Sequence, residues 1–153
     1  MDVYEKLKKL GLILPEAPAK GGVYTPAKRF GQNLIYVSGC GPAMGGELPK
    51  GKLGAEISLE EGQRLAQNCV LNILAVLEKE LGDLNRITGA VKMLAFVAST
   101  DDFTEQPKVA NGASGLLVEL FGEENGAPTR SAIGVNVLPG NIPVEVEGIF
   151  EIQ

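Results

Sequence analysis

The sequence has no histidine, no tryptophan and only two cysteines among its 153 residues. Histidine is the side chain that most often serves as general acid, general base or metal ligand near neutral pH, so these roles must fall to other groups or be absent. Two cysteines cannot build a disulfide framework, and a metal site has little support without histidine or a cysteine cluster. We therefore expect no metal and no other cofactor.

Long apolar runs and a basic stripe are missing as well. No segment approaches the ~18–20 apolar residues of a membrane span, and the first residues form no signal-peptide core. The formal net charge is −5, whereas binding to a polyanion requires clustered lysine and arginine. We expect a cytoplasmic protein with no membrane partner and no nucleic-acid partner.

The composition that is present is that of a globular protein. Hydrophobic residues make up 44% of the chain and charged residues 22%, and the length predicts a single domain spanning residues 1–153. Glycine is frequent, at 20 residues, which indicates backbones that approach one another closely. Cys69 falls on the apolar stripe of a predicted helix, so we interpret it as a core residue.

Patterns in the first half of the chain predict a short helix, two strands, a loop and a long helix. The short helix is predicted at residues 2–10, with Leu7 and Leu10 as its apolar anchors. Ser58 and Glu61 form a capping box, and the apolar spacing after it predicts a helix with one buried face. The segments between them predict strands at 23–30 and 33–40 around a turn at Gly31-Gln32, then an exposed loop at 41–57.

The second half begins after Gly82, which is predicted to end the long helix. Residues 87–98 are mostly apolar and rich in β-branched and small side chains, which predicts a buried central strand. Asp101-Asp102 is predicted to cap a second helix at about 104–121, closed by Gly122. Two more strands are predicted at 130–138 and 144–152.

The order of these elements predicts an α+β fold, with two helices on one face of a single mixed sheet and a short N-terminal helix. The last two strands are predicted to pair as a hairpin about residues 139–142. In the first of them, alternation divides the side chains into an apolar face, which fits under the helices, and a face that includes Arg130. This second face would meet water or another subunit. The apolar face consists of Ser131, Ile133, Val135 and Val137.

Two further motifs have simple interpretations. Residues 46–53 resemble a phosphate-binding P-loop, but Leu53 replaces the Ser or Thr that would hold magnesium, and no clear strand leads into the segment. We interpret it as a flexible loop. Ser38 has neither the flanking glycines nor the histidine of an activated nucleophile, so a role as hydrogen-bond donor at a strand end is more reasonable.

Arg130 is the strongest candidate for a functional residue. Arginine remains charged and presents a planar fork that grips a carboxylate or a phosphate through two parallel hydrogen bonds. A lone arginine at the start of a strand is, however, more often a surface residue or a partner in a salt bridge. Local pattern leaves both interpretations open.

Several motifs together resemble the RidA/YjgF family of reactive-intermediate deaminases, proteins also labelled endoribonucleases. The segments Pro128-Thr129-Arg130-Ser131 and Leu138-Pro139, followed by residues 144–149, are similar to the family signature in order and spacing. Upstream, Gly22-Val23-Tyr24 is similar to its Gly-Pro-Tyr, and residues 34–39 resemble its strand that ends in Ser-Gly. The resemblance covers residues 22–152.

This resemblance implies a chorismate-mutase-like fold and a homotrimer with clefts between subunits. It also implies hydrolysis of small enamine or imine intermediates to 2-oxo acids and ammonia, without a cofactor. Arg130 would clamp the substrate carboxylate, and Glu145 would orient or activate the attacking water. The remaining pocket positions implied by the family are Tyr24, Ser38, Gly39, Asn111 and Ala132.

The chain departs from the family pattern at one of these pocket positions and at the residue that follows Gly39. Ala132 stands where active members often have cysteine, and Cys40 stands where a glutamine commonly follows Ser-Gly. Both changes alter the chemistry of the pocket while leaving the arginine clamp in place. Two other functions therefore stay open, a non-catalytic protein that binds a small carboxylate metabolite and, less favoured by the acidic balance, an endoribonuclease.

The predicted hairpin separates the two catalytic candidates. Arg130 would lie opposite Glu151, and Glu145 is six residues from that partner, which is roughly 20 Å at ~3.3 Å per residue. One small site cannot span that distance. We therefore hypothesise that Glu145 serves the Arg130 of a neighbouring subunit.

Overall fold

Residues 2–153 are described in a computed structural model and contain three helices and five strands. The helices are α1 (Val3–Lys9), α2 (Leu59–Leu81) and α3 (Gln106–Gly126). The strands are β1 (Ala27–Phe30), β2 (Leu34–Cys40), β3 (Ile87–Ala98), β4 (Thr129–Val135) and β5 (Val144–Ile152). Short 3₁₀ turns lie at Leu84–Arg86 and Pro139–Asn141.

The five strands form one mixed sheet in the order β1-β2-β5-β3-β4. β3 and β4 are parallel and are joined by α3, while the other neighbouring pairs are antiparallel. α2 and α3 pack on one face, where the side chains from the inner face of β3 and β5 are buried. This confirms the predicted α+β architecture.

The bounds of α2 follow the sequence prediction, but the prediction of a single buried face was wrong. Residues 68–77 are all buried, because the sheet, α3 and the loop after β2 enclose this part of the helix. The Ser58 hydroxyl accepts a hydrogen bond from the Glu61 backbone N–H at 3.1 Å, and the helix ends at Gly82, whose φ is 80°. α3 crosses α2 at close range, and Gly112 permits this approach, because a Cβ at that position would overlap the backbone of Gln63. Cys69 is fully buried on α2, as predicted.

The predicted start of α3 was wrong. The helix begins at Gln106, and Asp102 accepts a hydrogen bond from the Thr100 hydroxyl instead of capping the helix. Pro107 in the first turn explains the later start, because proline has no N–H to leave unpaired there. Gly122 interrupts the helix with φ 83°, as expected of its stop, but helical structure resumes as far as Gly126.

The N-terminal helix α1 is confirmed, although one of its anchors was wrong. Asp2 caps the helix by accepting a hydrogen bond from Glu5 N at 2.8 Å. Val3 and Leu7 are its buried residues, whereas Leu10 is 42% exposed. Within residues 2–153 no helix has the length and apolar character needed to cross a membrane.

The predicted pairing of the last two strands was also wrong. β3 lies between β4 and β5, so that Met93 pairs with Arg130 on one side and with Gly148 on the other. β3 is a long apolar strand, and such a strand is stable when it has neighbours on both edges. α3 supplies the crossover connection that a parallel neighbour requires.

The face of β4 that lies under the helices is the opposite of the one predicted. Ala132 packs against the core, and a Cβ on Gly134 would come within 3.0 Å of the Ser99 hydroxyl and 2.8 Å of the Gln106 amide. Ile133 instead faces outward and is 43% exposed. The close approach of α3 therefore selects the small side chains, and the larger apolar ones of β4 point to the open face of the sheet.

Candidate functional site

Arg130 is held by two neutral side chains of α3. Its Nη1 donates hydrogen bonds to Asn111 Oδ1 at 2.7 Å and to Ser114 Oγ at 3.0 Å. Asn111 and Ser114 are three residues apart, which places them on the same helix face. The Ser114 hydroxyl in turn donates to the Ala110 carbonyl at 3.2 Å. The two neutral partners thus fix the position of the guanidinium, and neither of them neutralises its positive charge.

The rest of the Arg130 fork is available for an anion. Within residues 2–153, none of the four ion pairs involves this side chain, so no carboxylate lies within 4.0 Å of it. It lines a shallow groove at the side of α3, with Pro128 and Glu119 also at its wall. A planar cation with free N–H groups at the surface is the arrangement that binds carboxylates in two-point contact.

Glu145 lies in a second and larger cleft. This cleft has a volume of about 640 Å³ and opens at the end of β2. It brings together four residues that the sequence had singled out, which are Tyr24, Ser38, Gly39 and Glu145. Cys40, Lys20, Val76, Pro139, Ile142 and Glu147 also line it.

A β-bulge makes room for the Glu145 carboxylate. Val37 pairs with Gly148 and Cys40 pairs with Val146, so two residues of β2 oppose the single residue Glu147. One of the two is Gly39. A Cβ there would overlap Glu145 Oε1 and lie 2.9 Å from Cδ. Bulges commonly redirect side chains beside functional sites, and here the glycine leaves the space that the carboxylate occupies.

The environment of Glu145 disfavours its charged form. Its pKa is raised above the usual carboxyl value, first by partial burial and then by the nearby charge of Glu147. Glu147 itself accepts a hydrogen bond from the Tyr36 hydroxyl at 2.9 Å. A carboxyl with a raised pKa exchanges a proton with water more readily near neutral pH than an ordinary carboxylate does. Such a group is suited to general acid–base chemistry.

Cys40 contributes an apolar wall to the cleft. The residue is 6% exposed, and burial, followed by the charge of Glu145, raises the pKa of its thiol to about 12. The thiolate is the nucleophilic form of cysteine, so this side chain stays neutral and unreactive under ordinary conditions.

The two hydroxyls at the mouth of the cleft are already engaged. Ser38 Oγ donates to the Thr25 carbonyl at 2.7 Å, and the Tyr24 hydroxyl accepts a hydrogen bond from Gly21 N at 2.9 Å. The Ser38 bond fastens the segment before β1 to the end of β2, and the Tyr24 bond closes a turn within that segment. Both hydroxyls therefore shape the cleft rather than act as nucleophiles.

Arg130 and Glu145 do not meet within one chain. Arg130 points toward α3, while Glu145 pairs with Phe96 of β3 and projects from the opposite face of the sheet. Two strand spacings of ~4.8 Å and three residues of ~3.3 Å separate their backbones by about 14 Å. This replaces the predicted 20 Å, which depended on the wrong hairpin. Ala132 lies on the Arg130 side, beneath α3, and does not line the Glu145 cleft.

Sequence reasoning missed several residues that the structure places at the two sites. Ser114 could have been found, because it lies one helical turn from Asn111 on the same face. Glu147 could have been found by its alternation with Glu145 along β5. Lys20 could not have been found from the sequence, because it lies in a segment without periodicity. Its position at the cleft depends on how that segment folds against the rest of the chain.

The fold and these two sites define an α+β protein of chorismate-mutase-like architecture with an arginine site and a carboxyl cleft on opposite sides of one sheet. Residues 5–148 match the profile of the family described as "YjgF/chorismate mutase-like, putative endoribonuclease". The chain therefore belongs to the RidA/YjgF family, and the resemblance found in the sequence is confirmed.

Similarity to individual proteins extends over nearly the whole chain. It is 41% identical to protein TCP17 of Trypanosoma cruzi, over 99% of this chain and 94% of that protein. It is similar to the crystal structure of Atu1372 from Agrobacterium tumefaciens, a protein of unknown function, with 39% identity and a TM-score of 0.88 over 98% and 91% of the two chains. RidA from the Antarctic bacterium Psychrobacter sp. PAMC 21119 is 27% identical with a TM-score of 0.61, over 90% and 94%.

Proposed function

We propose that this protein hydrolyses small 2-imino acids, and their enamine tautomers, to 2-oxo acids and ammonia. The observation that carries the proposal is the pair of incomplete sites on one chain. Arg130 is an anion-binding group held without an acidic partner, and Glu145 is a half-buried carboxyl in an open cleft. A small acid that must undergo attack by water needs both groups.

A second copy of the chain supplies the missing half of each site. Arg130 of one subunit meets the Glu145 cleft of the next, and repetition of this head-to-tail contact closes into a ring, for which we propose a homotrimer. Exposed apolar residues on the open face of the sheet support such a contact, because isolated proteins seldom expose large apolar patches. Phe30, Tyr36 and Ile133 lie on that face and are 40–43% exposed.

The chemistry requires little beyond positioning and one proton-transferring group. Arg130 binds the carboxylate of the substrate, and Glu145 takes a proton from a water molecule whose oxygen bonds to the imine carbon. That proton passes to the nitrogen, which gives a tetrahedral intermediate that carries a hydroxyl and an amino group. The hydroxyl then gives its proton to the nitrogen, the carbon–nitrogen bond breaks, and ammonia leaves as the carbonyl of the 2-oxo acid forms. Imines are intrinsically reactive toward water, so orientation and general acid–base catalysis suffice without a metal or cofactor.

The direct test is a coupled assay with a threonine dehydratase, which releases 2-aminocrotonate and its imine tautomer. We expect the wild-type protein to accelerate 2-oxobutyrate formation over the spontaneous rate. Glu145→Gln should lower this acceleration by about 10²-fold or more, the usual contribution of a general base. Absence of any acceleration by the wild type, with 2-oxobutyrate still bound in calorimetry, would favour a carboxylate-binding protein instead.

The pH dependence should report the carboxyl of Glu145. A general base must be ionised, so kcat/KM falls as pH drops through its pKa, which is raised here by burial and by Glu147. Glu147→Gln removes one negative charge while its amide oxygen still accepts from Tyr36. The Glu145 pKa then falls, and we expect the acidic limb of the pH profile to move to lower pH.

A matched control is available on the same strand. Glu151 also faces the open side of the sheet but lies farther along β5, where it accepts a hydrogen bond from Asn33. Glu151→Gln should leave the acidic limb in place. If Glu147→Gln does not move the acidic limb, the group that titrates in this limb is a residue other than Glu145.

A further inference from the structure

The cleft around Glu145 contains a cation that the proposed reaction does not use. Lys20 is the only basic residue among the residues that line this cleft. No carboxylate of residues 2–153 lies within 4.0 Å of its ammonium group. A lysine ammonium is a compact charge with three N–H donors on a long stem, so it is ready to bind an anion that enters the cleft.

The backbone that carries Lys20 is fastened to the rim of the cleft. Gly21, the next residue, donates its N–H to the Tyr24 hydroxyl at 2.9 Å. Farther along the segment, Ser38 bonds to the Thr25 carbonyl at 2.7 Å and to the Pro26 carbonyl at 2.8 Å. The proximity of the Lys20 side chain to the Glu145 cleft therefore follows from a tethered backbone.

The other charges of the site already have partners or roles. Glu147 accepts a hydrogen bond from Tyr36, and the proposed mechanism assigns Glu145 to the attacking water. The carboxylate next to the imine is assigned to Arg130 of the neighbouring subunit. Lys20 is therefore free for a second anionic group at the other end of the substrate, and a cleft of about 640 Å³ has room for a longer acid than the smallest imino acids.

We propose that Lys20 binds the distal carboxylate of the substrate, and that the preferred substrates are short 2-imino dicarboxylic acids, such as those formed by oxidation of aspartate and glutamate. This inference rests on the proposed deaminase function. The reaction is the same hydrolysis: the water oxygen bonds to the imine carbon, both water protons pass to the nitrogen, the carbon–nitrogen bond breaks, and ammonia and a 2-oxo dicarboxylic acid leave. Oxidation state does not change, so no further reactant is needed.

The test compares two imines of different charge. L-glutamate oxidase and a broad L-amino-acid oxidase, each with catalase, generate the imines of glutamate and of alanine, and semicarbazide traps the imine that escapes hydrolysis. Lys20→Met keeps an unbranched side chain one atom shorter and removes its charge. We expect it to lower kcat/KM for the glutamate-derived imine about tenfold, the loss of one charged hydrogen bond, and to change kcat/KM for the alanine-derived imine less than twofold.

Two further variants separate the binding charge from its surroundings. Lys20→Arg keeps a cation and should retain most of the activity toward the glutamate-derived imine. Lys79 lines an adjoining groove together with Lys20. Lys79→Met removes the same charge there and should leave kcat/KM unchanged for both imines. Added salt should weaken the Lys20 effect, because exposed charges are screened.

The outcomes are distinguishable from failure of the proposed function. Acceleration of the alanine-derived imine with no selective effect of Lys20→Met would overturn the role of Lys20 and leave the deaminase intact. Equal losses for both imines would assign Lys20 to the shape of the cleft and overturn the inference. No acceleration of either imine by the wild-type protein would overturn both proposals.

Discussion

We expect Arg130→Ala to abolish the proposed deaminase activity while the protein keeps its fold and the oligomeric state of the wild type. The guanidinium is the group proposed to hold the substrate carboxylate, and two hydrogen bonds to a charged group contribute about 3–6 kcal/mol, or roughly 10²–10⁴ in kcat/KM. The fold should tolerate the change, because Arg130 lies near the start of the edge strand β4 and, within residues 2–153, its side chain hydrogen-bonds only to Asn111 and Ser114. Kinetics, circular dichroism and size-exclusion chromatography measure the three properties.

The control for charge is Arg29→Ala. Arg29 is an exposed arginine of β1, paired at 3.8 Å with Glu80 and away from both sites. The Arg29→Ala variant should retain full activity. Unchanged turnover in Arg130→Ala would end the proposal that this residue binds the substrate.

Mixing two inactive variants tests whether the site is shared. When Arg130→Ala and Glu145→Gln chains assemble together, the intact Arg130 of one chain meets the intact Glu145 of the other. Random assembly in a head-to-tail ring should restore roughly a quarter of the wild-type activity. A site contained in one chain would give no recovery, and a monomer with full activity would also refute the shared site.

Gly39→Ala should remove nearly as much activity as loss of the Glu145 carboxyl itself. The backbone at Gly39 does not require glycine, since its φ is not in the left-handed region. The added methyl would overlap Glu145 Oε1 and approach Cδ to 2.9 Å, so the carboxylate must swing away from its position. We expect a loss of about 10²-fold in kcat with little change in thermal stability, because general-base catalysis depends on placement within hydrogen-bond reach.

A double-mutant cycle distinguishes this mechanism from a general disturbance of the cleft. If alanine acts by displacing the carboxyl, Gly39→Ala should cost little further activity in a Glu145→Gln background. Gly21→Ala adds a methyl to the same cleft with no atom within 4 Å and should leave activity unchanged. Additive losses, or an equal loss in Gly21→Ala, would contradict the proposed role of Gly39.

The elements with strong local patterns were predictable because the physical cause lies within a few residues. Ser58 caps α2 by accepting a hydrogen bond from the Glu61 N–H three residues later, and the apolar spacing that follows predicts that a helix begins there. β3 and β5 were placed at their observed bounds, since continuous or alternating apolar residues stand between polar turns.

The pairing of β4 was not predictable from local pattern. Alternation favoured burial of the face that carries Ile133, but the helices cover the opposite face, where Ala132 packs against the core. The choice depends on α3, because Gln106 at the start of that helix approaches the strand closely at Gly134, and the small side chain of Ala132 packs against the core beside it. Because β4 and β5 follow one another in the sequence, a hairpin between them was predicted. In the sheet, the apolar strand β3 lies between β4 and β5.

By itself the sequence determined the α+β class, the principal helices and strands and, through its motifs, the family and the residues worth examining. Those inferences depend on covalent neighbours and on periodicities of two or 3.6 residues, which are written along the chain. Tertiary structure alone decided that Arg130 rests on Asn111 and Ser114 beside α3, that Glu145 occupies the space left by Gly39, and that the two lie on opposite faces of the sheet. These facts follow from long-range packing and strand order, because contacts between distant segments form only when the whole sheet is assembled.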